Sequence, residues 1–426
     1  MQKKLLKATN SANGSIELPG SKSITNRVFL MAALSNEQTL IKDYLDSDDT
    51  KQMLTALKLL GVNYQIINKK DILMDGVGLK FPNQTADLFL GNAGTAFRPL
   101  TAVLSLMGGN YRLRGIPRMQ ERPIKDLVDA LQQMGANIQY EEKIGYPPIK
   151  ITNGKITFNQ SVSIKGNVSS QYLTALLIAG PISNHNLCIK IEEDLISKPY
   201  IDISLKLLEK FGVHYDNHNW EVFKLHQPAL FKSPGEIFIE GDASSASYFF
   251  AAGAISGAIE VKGINQSSIQ GDLKFLDIIS LMGANVEYFK NSVKVSNAQN
   301  MKGMIIDCKE IPDAAMTLAV MAMFAHGETK LTNIESWRVK ETDRIVAMQT
   351  ELEKLGAKVI STKGSITISP PIEIKNNVEI ETYNDHRIAM CFSLITLANK
   401  NITILDPDCV NKTYPNYFND FESVIS

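Results

Sequence analysis

Cysteine is scarce in this sequence: Cys188, Cys308, Cys391 and Cys409 are the four present among 426 residues. They form no C-x-x-C pair and are too sparse to staple a chain of this size, which excludes a disulfide-built fold and points to a reducing cytoplasm. A charge excess is missing as well. Lys and Arg number 44 against 45 Asp and Glu, so no global basic field exists to hold a nucleic acid or an anionic membrane. Any affinity for anions has to be local. Long apolar runs are also lacking: YLTALLIAGPI and AAMTLAVMAMFA fall short of the ~20 residues that span a bilayer and read as buried helices. The N-terminal MQKKLLKATNSANG has a basic start with no apolar segment behind it, so it is not a signal peptide. G-x-S-x-G and H-E-x-x-H motifs do not occur, and His214 and His218 follow Gly212 in a strand-and-turn stretch that suits a zinc pair poorly. The chemistry to look for is electrostatic and acid/base rather than covalent.

What is present is repetition. A composition with 44% hydrophobic and 21% charged residues over 426 positions is that of a globular protein of two or three domains. In LKLLGVNYQII, LQQMGANIQY, LEKFGVHYD, ISLMGANVEYF and LEKLGAKVI an amphipathic helix ends at Gly and runs into a strand. The glycines, Gly61, Gly135, Gly212, Gly283 and Gly356, are spaced by 74, 77, 71 and 73 residues. Gly at that place caps a helix because it enters the left-handed region without steric penalty. A second series runs strand, polar turn, then a helix of small apolar residues: ELPGSKSITNRVFLMAAL, LFLGNAGTAFRPLTAVL, SIKGNVSSQYLTALLIA, FIEGDASSASYFFAAGA, CKEIPDAAMTLAVMAMF and ETYNDHRIAMCFSLITLA. These make six units of roughly seventy residues. No strand follows the last helix, YPNYFNDFESVI, so the N-terminal strand is expected to complete that sheet. Dividing the units three and three predicts one domain over 21–239 and a second over 1–20 plus 240–426, with a ligand site in the cleft between them.

The basic residues gather at the polar turns, where unpaired backbone N–H groups and the positive end of a helix dipole already favour anions. Lys22 and Arg27 lie at the first turn, Arg98 at the second and Arg387 at the sixth. Arg122 precedes Pro123, and Lys412 stands three residues before Pro415; both prolines suit the first position of a helix. In WRVKETDRIVAMQTEL, a helical reading puts Lys340 and Arg344 at i and i+4, a like-charge pair. Glu341 and Asp343 either neutralise that pair as a surface, or the cations face an anion while Glu341 handles a proton. Asp313 is either the N-cap of the helix AAMTLAVMAMFA or a functional carboxylate. The serines of GNVSSQ and GDASSAS are N-cap candidates too.

The motifs LPGSKSITNR, LGNAGTAFRPL, RMQERPI, NVSSQYLTALL, SKPYIDI, IPDAAMT, WRVKETDR, YNDHRIAM and NKTYP run nearly end to end. Through them the sequence resembles the EPSP synthase (5-enolpyruvylshikimate-3-phosphate synthase) family of enolpyruvyl transferases. The resemblance implies an α/β fold of two similar domains, each three βαβαββ units, with the active site in the interdomain cleft. It implies transfer of the enolpyruvyl group of phosphoenolpyruvate to the 5-hydroxyl of shikimate 3-phosphate, with release of phosphate, on the route to aromatic amino acids. No metal or cofactor is implied; the partners are two small molecules, with neither nucleic acid nor membrane, and the expected form is a cytoplasmic monomer. Lys22, Gly94, Arg122, Gln171, Arg344, Arg387 and Lys412 correspond to phosphoenolpyruvate contacts. Ser23, Arg27, Ser169, Ser170, Ser197, Tyr200, Asp313, Ser336 and Lys340 correspond to those for shikimate 3-phosphate. Asp313 and Glu341, assisted by Lys22, correspond to the proton-handling groups. Ser336 is a departure, since the family commonly has Asn there. The sister family, which uses UDP-N-acetylglucosamine as acceptor, typically carries Cys in the loop corresponding to LRGIPRMQERP, and this chain has none there. A non-catalytic anion-binding repeat protein is the other alternative, one that has no reason to keep Asp313, Glu341 and the cations together.

Overall fold

The computed structural model describes residues 2–157, 161–183, 185–227 and 229–426. The chain divides into two compact units, residues 20–239 and residues 1–19 with 240–426. Among the described residues, the first unit holds three four-stranded sheets. In one, Thr85–Phe89 pairs parallel with Asn110–Arg114, which pairs antiparallel with Ile149–Thr152, and Asn137–Tyr140 forms the edge. Val162–Lys165, Leu187–Glu192, Val222–Leu225 and Tyr215–His218 repeat that order. So do Glu236–Phe238, Thr39–Lys42, Ile72–Met74 and Tyr64–Ile66.

The second unit has two such sheets and a three-stranded one among its described residues. In the last, Val378–Ile380 pairs parallel with Ile402–Leu405, and the N-terminal strand Lys3–Leu6 closes the other side antiparallel. Both chain ends therefore lie in this unit.

Each parallel pair calls for a crossover, and in four repeats the apolar helix supplies it. Gly94–Met107, Ser170–Ala179, Ala315–Met321 and His386–Ser393 each join the two strands that pair with one another. The two remaining repeats break this rule. Ala12–Glu17 precedes the helix Lys22–Leu34 but pairs with Gly257–Lys262, and Glu236–Phe238 precedes Ala243–Ser256 but pairs with Thr39–Lys42. The chain leaves one unit for the other between these strands and their helices, so partner strands are exchanged at the two crossings.

The crossover helices are apolar on nearly every side and buried, the expected consequence of having no polar face. In five of the six repeats the second helix is followed by the glycine of the first sequence series; the last, Tyr417–Val424, ends at Ile425 instead. Gly61, Gly135, Gly212, Gly283 and Gly356 have φ of 91°, 87°, 75°, 114° and 103°, a region where a Cβ would be strained. No helix among the described residues is long and apolar enough to cross a membrane.

Candidate active site

In the unit of residues 20–239 the N-terminal halves of three apolar helices converge. Asn26 Nδ2 donates to Thr95 Oγ1 at 2.7 Å, tying Lys22–Leu34 to Gly94–Met107. Arg27 reaches toward Thr174 of Ser170–Ala179 at 3.5 Å. Lys22, at the first position of its helix, sits 3.5 Å from Asp49 Oδ2. Arg27 is buried and its partners are neutral: Ser204 Oγ at 2.7 Å, Ser23 O at 2.8 Å and Tyr200 O at 3.2 Å. Burial pushes its guanidinium down to about 10, because nearby dipoles replace water only in part. A buried cation whose partners among the described residues are neutral is suited to an anion brought from outside.

Arg122 is likewise buried; Nη1 donates to Asn92 O at 3.1 Å and Asn92 Oδ1 at 3.0 Å, while Nε has no hydrogen-bond partner among the described residues. Pro123 does not open a helix as the sequence suggested. Arg122 caps the C-terminus of Pro117–Glu121, and the next helix begins at Lys125 with Ile124 before it. The reason is the carbonyl of Pro123, which stays outside the helix to accept from Arg98 Nη2 at 3.1 Å and Tyr172 OH at 2.7 Å. Gly94 lies against this group: a Cβ built there comes within 2.8 Å of Arg122 Nη2, 3.0 Å of Gln171 Oε1 and 3.1 Å of Arg98 Nη1. Ser169 is an N-cap, accepting from Gln171 N at 3.2 Å, and Ser170 follows as the first helical residue. Ser197, buried with φ of 53°, precedes Lys198–Lys210, the helix that carries Tyr200 and Ser204.

In the unit of residues 1–19 and 240–426, Arg344 is the centre of a buried ion network. Its Nε donates to Asp385 Oδ2 at 2.7 Å, Nη1 to Asp313 Oδ1 at 2.9 Å and Nη2 to Glu341 Oε2 at 2.9 Å. Arg387 Nη2 takes the other oxygen of Asp313 at 3.0 Å, and its Nη1 meets Tyr248 OH at 3.2 Å. Lys340 Nζ adds a longer contact with Asp313 at 3.6 Å. Burial works to raise the Asp313 carboxyl, but Arg387, Lys340 and Arg344 overcome it and hold it well below the usual carboxylate range. Arg344 is affected oppositely: burial lowers it, and Asp385, Glu341 and Asp313 more than restore it.

The structure departs from the expected pattern at three places in this unit. Lys340 and Arg344 are not on one helix: a 3-10 turn covers Glu335–Val339, and the helix Arg344–Lys354 starts behind Asp343, whose carboxylate accepts from Val346 N at 3.3 Å. That cap ends the i,i+4 relation and frees Lys340 to reach Asp313. Pro415 does not open a helix either. Lys412 ends a 3-10 turn over Pro407–Lys412, and the following helix starts at Tyr417 behind Asn416. Asp313 is not the N-cap of Ala315–Met321, where Ala314 holds that position, so its carboxylate is committed to the cations. Ser336 is half-buried in the 3-10 turn.

Arginines in the first turn of a helix oppose its dipole, at a cost of a few tenths of a kcal/mol to about 1 kcal/mol each. Arg344 and Arg387 both occupy such positions while buried, as Lys22 does in the other unit. Carboxylates offset that cost: Arg344 has Asp385, Glu341 and Asp313, Arg387 has Asp313, and Lys22 has Asp49. Asp385 was not singled out from the sequence, although it sits two residues before Arg387 and caps the same helix, accepting from Arg387 N at 3.0 Å. Tyr248, Asn92 and Ser204 had no sequence signal, since each reads as an ordinary helix or turn residue.

The fold is that of the enolpyruvyl transferases. The enolpyruvyl transferase NikO from Streptomyces tendae superposes with a TM-score of 0.80 at 14% identity, over 99% of this chain and 97% of that one. EPSP synthase from Acinetobacter baumannii gives a TM-score of 0.83 at 24% identity, over 100% and 98%. The particular family follows from sequence. The model of the EPSP synthase (3-phosphoshikimate 1-carboxyvinyltransferase) family matches residues 6–421, and the chain belongs to that family. The 3-phosphoshikimate 1-carboxyvinyltransferase of Cupriavidus necator is 51% identical over 422 residues, 97% of each chain.

Proposed function

We propose that the protein transfers the enolpyruvyl group of phosphoenolpyruvate to the 5-hydroxyl of shikimate 3-phosphate and releases inorganic phosphate. The observation that carries this reading is the group of buried Glu341, Arg344 and Arg387 with half-buried Asp313 and Lys340, which combines two carboxylates able to move protons with cations able to hold anions. On this reading Lys22, Gly94, Arg122, Gln171, Arg344, Arg387 and Lys412 bind phosphoenolpyruvate. Ser23, Arg27, Ser169, Ser170, Ser197, Tyr200, Ser336, Lys340 and Asp313 bind shikimate 3-phosphate.

The chemistry balances as addition then elimination. The 5-hydroxyl oxygen bonds to C2 of phosphoenolpyruvate, its proton passes to Asp313, and Glu341 gives a proton to the methylene carbon. In the second step the C2–O bond to phosphate breaks with its electron pair leaving on the phosphate, the methyl group returns a proton to Glu341, and the proton held by Asp313 leaves with the phosphate. The cations lower the repulsion between two polyanions and disperse the negative charge of the tetrahedral intermediate. The same reading has the protein act as a cytoplasmic monomer, which light scattering of the purified chain checks.

Phosphate release from the purified protein is expected with both substrates together and with neither alone. Release with UDP-N-acetylglucosamine as acceptor would sink the assignment in favour of the sister reaction.

Gly94→Ala tests the anion site itself. Gly94 has an ordinary backbone conformation, so a methyl group is tolerated by the chain but meets the tips of Arg122, Gln171 and Arg98. Affinity for phosphoenolpyruvate should fall somewhat. Affinity for glyphosate, a longer anion and the family's competitor, should fall by about five- to hundredfold, as ~1 to 3 kcal/mol of overlap implies. Inhibition constants beside a melting curve decide it: equal losses for both ligands would rule out crowding at this position.

A further inference from the structure

The turn that delivers Asp385 and Arg387 is strained. Tyr383 and Asn384 have φ of 52° and 53°, and Asp385 N donates to Thr382 O at 2.8 Å. Two successive left-handed residues closed by that bond make a type I′ turn, which Asn and Gly adopt readily and a bulky aromatic residue does not. Asn384 is ordinary there, whereas Tyr383 is the outlier.

Its hydroxyl supplies the compensation. Tyr383 OH donates to Glu351 Oε1 at 2.7 Å, and Glu381 N donates to Glu351 Oε2 at 3.1 Å. The Glu351 side chain is fully buried, and Lys354 Nζ, partly exposed, closes the group at 2.8 and 2.7 Å from the two oxygens. Glu351 lies on Arg344–Lys354, the helix whose first residue binds Asp385. One helix thus grips the turn at two places, Arg344 on the residue after the strained pair and Glu351 on the residues at and before it.

We propose that Glu351 and Tyr383 form a lock that positions Arg387 and Arg344 for the anion they hold. Neither residue is among the proposed substrate contacts, so both are positioning residues, acting through the turn. The inference rests on the proposed function for the identity of the anion, phosphoenolpyruvate, and on the turn geometry for the lock itself.

Three variants test it: Tyr383→Phe, which removes only the hydroxyl, Glu351→Gln, which keeps the shape, and Tyr383→Asn, which accepts the left-handed conformation without strain but cannot reach Glu351. Each should raise KM for phosphoenolpyruvate by about tenfold, the scale of one lost hydrogen bond to a charged acceptor, with kcat changed by less than about twofold. KM for shikimate 3-phosphate should change less, since most of its proposed contacts do not depend on this turn. Hydrogen exchange of the peptide spanning residues 381–390 should quicken in all three without ligand. Unchanged KM for phosphoenolpyruvate in Tyr383→Phe overturns the proposal, whatever the melting temperature does. Full recovery of KM in Tyr383→Asn also overturns it, because strain relief alone would then be the role. If the wild-type protein releases no phosphate, the functional reading fails, and the exchange experiment still decides the lock: unchanged rates refute it.

Discussion

Asp313→Asn is expected to bind shikimate 3-phosphate with modest loss and to lose turnover by about two to four orders of magnitude, the usual worth of a positioned proton acceptor. Asn keeps the size of the side chain and one acceptor oxygen, so it can still meet Arg344 or Arg387, which stand at 2.9 and 3.0 Å from the two carboxylate oxygens. It cannot accept a proton. Saturation kinetics beside calorimetric binding of shikimate 3-phosphate separate the two effects, and a kcat within tenfold of wild type would remove Asp313 from the proton transfer.

Without substrate the carboxylate is a weak base, held well below the usual range by Arg387, Lys340 and Arg344 against the effect of burial. On the proposed assignment, the carboxylate of phosphoenolpyruvate draws on Arg344 and Arg387, and sharing their charge returns Asp313 toward ordinary basicity as the substrates assemble. The depressed value also bears on stability. Asp313 contributes stabilisation that is fully present above its unfolded value of about 3.9 and is lost as pH falls through the lower folded value. Asp313→Asn should therefore flatten the acid limb of the stability curve below about pH 4.

Arg344→Met is expected to produce the largest loss of stability. It leaves Asp385, Glu341 and one oxygen of Asp313 without their shared guanidinium in a region where Asp385 is fully buried and Arg344 nearly so. Removing one partner of a buried ion pair costs about 3–5 kcal/mol, because the remaining charge is stranded away from water. For units near 200 residues that corresponds to a fall of roughly 6–20 °C in melting temperature. Thermal unfolding measures it. Adding Asp385→Asn should recover part of the loss by removing a stranded charge, and a single variant melting within about 2 °C of wild type, well under the expected range, would show that the network contributes little.

The six repeats were legible in the sequence because their markers are local. A glycine that must take positive φ at Gly61 or Gly356, an all-apolar helix after a polar turn, and a cation in that turn each depend on a few neighbouring residues. Lys22 and Arg387 could be assigned to helix starts for that reason, whereas Arg27 and Arg98 lie one turn further in. Prolines misled at Pro123 and Pro415, since the ring fixes its own φ but does not dictate where the next helix begins. Lys340 misled in the same way: periodicity continued a helix backward through Asp343, a residue whose carboxylate instead starts it.

What the sequence by itself determined is the repeat, the classes of its elements, and the residues whose type and motif mark them for anions. Tertiary structure alone decided that the strands Ala12–Glu17 and Glu236–Phe238 leave their own helices to pair elsewhere, and that Asp313 belongs to Arg344 and Arg387 rather than to its helix. It also decided that Glu351 is a buried acceptor rather than one more acid on an amphipathic helix. The physical reason is range. Caps and periodicity are set within a turn or two, whereas the ion-pair partners stand 31 and 74 residues from Asp313 along the chain, and only the packed fold supplies the low dielectric that makes their pairing obligatory.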